Sequence, residues 1–190
     1  TGYLNGEMVS VTSTGMGGPS AAICLEELIH AGAETFIRVG TCGRICEESY
    51  NKKYDGVVIT GAIRHEGTTV QYIPIEYPAI ADRHVTEALV QSAREQGFCF
   101  AEGIAQCKDS FYGQHDPDSM PSGFMLKSYW EAWKKAGVMA SEMESATVFI
   151  VAAIRGKRAG ALMAYEHMNE NTIKTAIGAI EKLIKADRMQ

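Results

Sequence analysis

The chain has 190 residues, of which 46% are hydrophobic and 22% charged, and its formal net charge is -5. This length suits one α/β domain with a sizeable core, while the negative charge argues against a nucleic-acid partner held by phosphate neutralisation. No apolar run is long enough to span a membrane, and residues 1–7 lack the basic region and apolar stretch of a signal peptide. We therefore expect a cytoplasmic protein that binds neither nucleic acid nor membrane.

The cysteines and histidines do not form the pattern of a disulfide framework or a metal site. The five Cys are an odd number without paired C-x-x-C spacing, which favours reduced thiols. The five His are scattered singly, with no His-Glu-x-x-His motif and no pair at helical spacing. We therefore expect no metal and no metal catalysis.

Strands and helices are predicted to alternate along the chain. Residues 8–13 alternate and are rich in β-branched side chains, so they predict a strand, followed by a glycine turn at 15–20 and a helix over 21–30. Further strands are predicted at 35–40, 56–63, 103–107 and 159–164, further helices at 82–96, 127–136, 143–155 and 171–185, and a loop at 108–121. This order predicts an α/β fold. We expect a single-domain three-layer sandwich over 1–190, with a central mixed, mostly parallel sheet flanked by helices.

The turn Gly15–Ser20 can present free backbone N–H groups to an anion or a sugar oxygen. It matches G-x-G-x-x-G only in part, because Ser20 takes the sixth position. No acidic residue ends a second strand about 20 residues further on, so we reject a dinucleotide site. Taken alone, the segment fits a tight turn without a ligand equally well.

Arg38 lies inside the otherwise apolar predicted strand 36–40. A charged Arg is rarely buried without a partner, so it should face a carboxylate or a bound anion. Thr41 and Gly43 follow at the carboxyl end of the strand, where open α/β sheets place ligands. Because a planar guanidinium beside a hydroxyl suits phosphate, we favour the anion over an ion pair with Glu142 or Glu144.

The segment 141–147 places Glu142 and Glu144 on either side of Met143, at the predicted start of a buried helix. Being two positions apart, the carboxylates cannot share one helix face, and we expect them to contact different partners. Ser141 can serve as the N-cap, and negative charge is stabilised near a helix N-terminus. A charged cap and a binding site explain this segment about equally well.

Phe111 and Gln114 lie together in the predicted loop 109–115. An aromatic ring can lie against a flat heterocycle, and a Gln amide offers both a donor and an acceptor to an amide-like ring edge. An aromatic loop that merely closes the core is the alternative.

Four ordered motifs resemble the uridine phosphorylase branch of the nucleoside phosphorylase family. They are Thr-Ser-Thr-Gly-Met-Gly-Gly-Pro-Ser at 12–20, Phe-Ile-Arg-Val-Gly-Thr-Cys-Gly at 36–43, the loop at 107–115 and Ser-Glu-Met-Glu-Ser-Ala-Thr at 141–147. The resemblance covers most of 7–160. It implies reversible phosphorolysis of uridine, or of deoxyuridine or thymidine, in pyrimidine salvage, with inorganic phosphate as co-substrate and without metal or organic cofactor. It also implies a homodimer that assembles into a homohexamer.

The resemblance assigns roles at both ends of the substrate. Arg38 and Thr41 would hold phosphate, with the turn that begins at Gly15 beside them. Phe111 and Gln114 would bind uracil. Because phosphate itself is the nucleophile, no Ser, Cys or His nucleophile is required.

The resemblance also implies a ribose site. Glu144 would accept hydrogen bonds from the 2′- and 3′-hydroxyls near Thr41, and Met143 would pack on the sugar. Glu142 would either touch the ribose or position Arg38. These roles agree with the chemistry, because cleavage builds positive charge on the sugar and negative charge on the base. Arg38 and Glu144 are therefore the expected catalytic residues.

Three features depart from the family pattern. The family usually has an earlier G-D-P-x-R loop with a second phosphate-binding arginine, and a neighbouring subunit adds an arginine and a histidine from that region. The segment 44–55 is atypical, and 164–169 stands where the family has a longer strand and a loop over uracil. We therefore expect a chain truncated at its N-terminus, with an incomplete phosphate site and poor activity.

Two alternatives remain open. A purine nucleoside phosphorylase or nucleosidase of the same superfamily would need an acid, usually Asp, after the predicted strand 159–164, where this chain has Glu166 and His167. A truncated, non-catalytic nucleoside-binding homologue would keep the ribose site without the phosphate site.

Overall fold

A computed structural model describes residues 1–51 and 54–189. The strands are β1 (Gly2–Leu4), β2 (Glu7–Val9), β3 (Thr35–Arg44), β4 (Gly56–His65), β5 (Ala79–Ile80), β6 (Phe100–Lys108), β7 (Ala140–Glu142) and β8 (Arg158–Tyr165). The helices are α1 (Gly18–His30), α2 (Glu47–Asn51), α3 (Arg83–Glu95), α4 (Phe111–His115), α5 (Gly123–Lys135), α6 (Ser145–Ile154) and α7 (Glu170–Asp187). Across 1–51 and 54–189, no helix is long and apolar enough to cross a membrane.

The main sheet has six strands in the order β5-β4-β6-β7-β3-β8, and β4 also pairs with β8. That last pairing, antiparallel between 56–59 and 161–164, closes five of the strands into a ring. The two longest ladders, β3 with β8 and β4 with β6, are parallel, whereas β7 is antiparallel to β3. The expected mixed α/β sheet is confirmed. The closure was not predicted, because it joins segments that are far apart in the sequence.

Helices cover both faces of this sheet. Alternation along β4 sends Val57 and Ile59 into one hydrophobic cluster with Phe149 of α6, and sends Val58 into a second with Leu89 of α3. Helix α6 is buried from residue 145 to 152, while α3 and α7 pack together on the opposite face. The site described below lies where β3, β6 and β7 meet the start of α6.

The predicted strand 8–13 is wrong. Strand β2 ends at Val9 and pairs with β1 in a separate two-stranded sheet. Asn5 and Gly6 connect the two strands, both with positive φ (51° and 83°), as a two-residue type I′ turn requires. The Asn-Gly pair was therefore a stronger signal for local structure than the alternation over residues 8–13.

The predicted role of Ser141 as the N-cap of a helix over 143–155 is also wrong. Ser141 lies in β7, paired with Gln106 of β6. This pairing keeps the backbone extended as far as Glu142, where β7 ends, and α6 begins only at Ser145. Oε2 of Glu142 instead accepts hydrogen bonds from the backbone N–H groups of Glu144 and Ser145, at 2.9 and 2.8 Å. Glu142 thus satisfies the free donors at the start of this helix.

The other predicted elements are recovered with shifted ends. The predicted helices 21–30, 82–96 and 171–185 correspond to α1, α3 and α7, and the four later predicted strands to β3, β4, β6 and β8. The predicted loop 108–121 contains α4, and the predicted helix 127–136 begins earlier, at Gly123. In the atypical segment 44–55, residues 52 and 53 lie outside the described part of the chain.

Candidate active site

Arg38 binds both carboxylates of the 141–147 segment. Its Nε donates to Oε2 of Glu142 at 3.0 Å, and its Nη2 donates to Oε2 of Glu144 at 2.5 Å. The side chains are largely buried, with exposed fractions of 16%, 1% and 8%. The expectation that the two acids have different partners is wrong, because neither residue is in the helix and helical spacing does not apply to them.

Strand pairing brings these side chains together across 104 residues of sequence. Strand β3 carries Arg38, and its end pairs with β7 at Gly43 and Ser141. The backbone then passes directly from β7 into α6, so the two acids project beside β3. The arrangement confirms the ion-pair interpretation of Arg38.

The ion pairs leave Arg38 able to contact an anion. A guanidinium has five N–H donors, and the two carboxylates engage Nε and Nη2. Among residues 1–51 and 54–189, Nη1 has no hydrogen-bond partner. The phosphate role of Arg38 stays a prediction that these contacts allow.

The glycine turn lies against the same acids. The backbone N–H of Gly17 donates to Oε1 of Glu144 at 2.5 Å. Gly17 has a φ of 84°, a conformation that side chains disfavour. Within the turn, the hydroxyl of Ser20 donates to the carbonyl of Thr14. Both oxygens of Glu144 thus have protein partners, and each keeps a lone pair for a further donor.

The remaining predicted phosphate and ribose residues are less closely joined to this cluster. Thr41 is exposed, and its distance of three residues from Arg38 puts the two on opposite faces of a regular strand. Gly15 is exposed, with a φ of 72°. Met143 is half-buried between the two acids. Their predicted roles stay untested.

Lys108 is a buried cation that sequence reasoning left without a role. It ends β6, is 6% exposed, and donates from Nζ to Oγ of Ser141 at 2.6 Å. The same Oγ lies 2.6 Å from Oε1 of Gln106 and 2.6 Å from Oε1 of Gln114. A signal was present, because Lys108 follows an apolar strand just as Arg38 interrupts one.

Burial lowers the pKa of Lys108 to about 8, while the negative charges of Glu142 and Glu144 act in the opposite direction. Two carboxylates and two cations, Arg38 and Lys108, therefore share this region. Lys108 is mostly protonated at neutral pH and titrates just above it.

The neighbouring thiols are not activated as nucleophiles. Burial, followed by the charge of Glu142, raises the pKa of Cys42 to about 12. The same two causes, in the same order, raise the pKa of Cys107 well above its usual value. Because a thiolate is the reactive form, both thiols stay inert at neutral pH.

The predicted base-binding residues lie on α4. Oγ of Ser110 accepts from the backbone N–H of Gly113 at 3.0 Å and caps this short helix. The ring of Phe111 is half-exposed, with its centroid 4.3 Å from that of His115. Burial, followed by the charge of Lys108, lowers the pKa of His115. Gln114 also contacts Ser141, and the half-exposed ring of Phe111 belongs to the same short helix.

No group of three or more His, Cys, Asp or Glu side chains in the described ranges is arranged to hold a metal ion. The polar cluster instead consists of the Arg38 ion pairs and the Lys108 network. It provides anionic oxygens at one end and hydrogen-bond donors at the other.

The family of the chain follows from a match along nearly its whole length. The family model described as "Phosphorylase superfamily" matches residues 1–185. The chain belongs to the phosphorylase superfamily.

Named relatives are similar over most of the chain. It is 44% identical to a uridine phosphorylase of Treponema pallidum, with 98% of this chain and 78% of that protein covered. It is 41% identical to a uridine phosphorylase of Klebsiella aerogenes, with 83% and 62% covered. It is 37% identical to a uridine phosphorylase of Haemophilus influenzae, with 91% and 72% covered. The chain therefore spans between about three fifths and four fifths of the length of these three relatives.

Proposed function

We propose that this chain catalyses the reversible phosphorolysis of uridine to uracil and ribose 1-phosphate. The observation that carries the proposal is the contact of Arg38 with both Glu142 and Glu144, in a chain similar to three named uridine phosphorylases. An arginine for phosphate and a carboxylate for the sugar diol would then be adjacent.

The reaction replaces the bond between C1′ and the base nitrogen with a bond between C1′ and a phosphate oxygen. The electron pair of the broken bond stays on the base, which takes up a proton to become uracil. Positive charge develops on the sugar as the bond lengthens, so Glu144, which we place at the 2′- and 3′-hydroxyls, stabilises it electrostatically.

Glu142 and Glu144 have different roles in this proposal. Glu142 is almost fully buried and occupied by Arg38 and the start of α6, which supports the role of positioning Arg38 over that of touching ribose. Glu144 is the acid that faces the glycine turn. Met143, half-buried between them, packs against the sugar.

The phosphate end consists of Nη1 of Arg38, with the backbone of the turn at Gly15 as a further donor. Thr41 lies on the opposite face of β3 from Arg38, so its proposed part in phosphate binding requires its hydroxyl to reach around the strand. A guanidinium already held by carboxylates is oriented in advance, which lowers the entropic cost of binding an anion. Inorganic phosphate is the co-substrate, and the proposed chemistry uses no metal or organic cofactor.

The base end consists of Phe111, Gln114 and Lys108. Negative charge develops on the pyrimidine carbonyl oxygens as the base leaves, and a donor aimed at them stabilises the transition state. Lys108 is the nearby cation, connected to Gln114 through Ser141. We place it beside the base for this reason.

The test is uracil release from uridine, measured by chromatography with and without phosphate. We expect phosphate-dependent release, with ribose 1-phosphate formed in equal amount. Equal release without phosphate would indicate a nucleosidase, and faster cleavage of inosine would indicate a purine enzyme. Binding of uridine without turnover would indicate a nucleoside-binding homologue.

The purine alternative lacks a well-placed acid. Glu166, which follows β8, is 68% exposed, and its Oε1 lies 3.6 Å from Nε of Arg44. An exposed, ion-paired carboxylate is poorly suited to protonate a buried leaving group. This favours the pyrimidine substrate.

The proposal extends to the assembly and location of the protein. We propose a homodimer that assembles into a homohexamer, which sedimentation velocity at several concentrations would test. We also propose a cytoplasmic protein in pyrimidine salvage with uridine and phosphate as its small-molecule partners and no nucleic-acid partner.

A further inference from the structure

Ser141 lies at the centre of a buried polar network. Its Oγ is 2.6 Å from each of three side chains: Nζ of Lys108, Oε1 of Gln106 and Oε1 of Gln114. Ser141, Gln106 and Lys108 are 3%, 1% and 6% exposed. Gln114 is half-buried and is the member that reaches the predicted base-binding helix α4.

Counting protons restricts how this network can be arranged. A hydroxyl has one proton to donate and two lone pairs to accept. Protonated Lys108 can only donate, so it occupies one lone pair of Ser141. One proton and one lone pair remain for two amides, although both amides turn Oε1 toward Ser141 in the structure. One amide must therefore rotate so that its nitrogen donates to Ser141, while the other keeps its oxygen toward the hydroxyl. The orientations of Gln106 and Gln114 are therefore opposite and coupled.

We propose that Ser141 is a positioning residue that holds the Gln114 amide so that it reads the imide edge of the base, a ring N–H between two carbonyls. The inference rests on the proposed function and deepens it. A fixed amide offers its acceptor to the ring N–H and its donor to an adjacent carbonyl at the same time.

The same arrangement selects against cytosine. Cytosine has an acceptor where uracil has the ring N–H, and an amino group where uracil has a carbonyl. An amide held in the uracil orientation then meets cytosine with acceptor against acceptor, or leaves its own groups unpaired. Discrimination of this kind exceeds what shape alone provides, since the two rings have nearly the same size.

The first experiment compares calorimetric binding of uracil and cytosine to the unmodified chain and to its variants Ser141→Ala, Ser141→Thr and Ser128→Ala. Ser128 is an exposed residue of α5 and serves as the matched control. Loss of one orienting hydrogen bond should weaken uracil binding by roughly tenfold in Ser141→Ala. Cytosine binding should change little, so the preference for uracil narrows. Ser141→Thr keeps the hydroxyl and should recover most of the preference.

The second experiment needs no ligand. In nitrogen-15 relaxation measurements on the free chain, we expect the side-chain amide of Gln114 to be rigid, and to be more mobile in Ser141→Ala than in Ser128→Ala. Circular dichroism of each variant confirms that it is folded.

The two experiments separate the possible failures. Unchanged mobility of the Gln114 side-chain amide, together with an unchanged ratio of uracil to cytosine affinity in Ser141→Ala, would overturn the positioning role. A chain that binds no uracil, but whose Gln114 side-chain amide still becomes mobile in Ser141→Ala, would refute the proposed function while leaving the positioning of Gln114 in place.

Discussion

Arg38 and Glu144 form an ion pair of 2.5 Å between Nη2 and Oε2, and the other oxygen of Glu144 accepts from the backbone of Gly17. One carboxylate thus connects strand β3 to the glycine turn before α1. The expected phosphate site and the expected sugar site share this single side chain. A substitution at either site should therefore alter ligand binding at both.

Glu144→Gln should therefore lower kcat/KM for uridine phosphorolysis on the order of a hundredfold, since it removes the charge that faces the developing cation. The amide also brings N–H groups toward donors on Arg38 or Gly17. Steady-state kinetics measures the effect, and Glu131→Gln, at an exposed position of α5, is the control. Equal activity in the two variants would contradict the assignment of Glu144.

Arg38→Lys should lose phosphate affinity by at least about tenfold, because an ammonium cannot span two carboxylates and still offer a planar pair of donors to an anion. Phosphate titration by calorimetry checks this. Arg94→Lys, which alters an exposed ion pair with Glu102, should leave phosphate binding unchanged. Full phosphate affinity in Arg38→Lys would place the phosphate elsewhere.

Uracil affinity should fall as the pH rises through about 8, the pKa of Lys108. Burial lowers this pKa from its ordinary value of 10.5, so the ammonium donor is present below that pH and is lost above it. Uracil binding measured from pH 6 to pH 8.5, below the pH at which the uracil ring N–H ionises, should show the decline in the unmodified chain, with its midpoint near the pKa of Lys108. Lys108→Met should bind uracil more weakly, and its uracil affinity should not decline over this pH range. The control variant Lys127→Met, which removes an exposed surface ion pair, should show the same decline as the unmodified chain. A decline that persists in Lys108→Met would assign the titration to another group.

Phe111→Ala should weaken uracil binding by roughly tenfold through lost stacking. The affinity for ribose 1-phosphate should change little. The ring is half-exposed, so its removal should cost little stability. Phe124→Ala, at a more exposed ring on α5, is the matched control for a general loss of apolar surface. Equal uracil affinities in both variants would remove Phe111 from the base site.

Gly56→Ala should lower the free energy of unfolding by several kcal/mol, on the order expected for an overpacked core. A Cβ built on Gly56 would overlap the carbonyl oxygen of Met163, where β4 pairs with β8 and closes the ring. Urea denaturation measures the change. Gly2→Ala, which has open space around its Cβ, should leave the free energy of unfolding nearly unchanged. Similar urea midpoints for the two variants would contradict the prediction, because they would mean that the β4–β8 contact accommodates the methyl group.

Much of the fold was predictable from local patterns. Helical periodicity predicted α1, α3 and α7, and short apolar runs predicted β3, β4 and β8, because these signals depend on which residues of one element are buried. The error at 8–13 arose where alternation was preferred over the Asn5-Gly6 turn signal. The start of α6 was placed too early because the pairing of β7 with β6 is not visible in either segment alone.

The amino-acid sequence alone identifies three unusual charged side chains: Arg38 within an apolar strand, and Glu142 and Glu144 before a buried helix. It could not determine that all three meet, since the contacts cross more than a hundred residues. Tertiary structure alone decided that Glu142 caps α6, and that Ser141 joins Lys108 to Gln114. The physical reason is that a buried charge or hydroxyl must find partners, while only the closure of the sheet determines which partners are within reach.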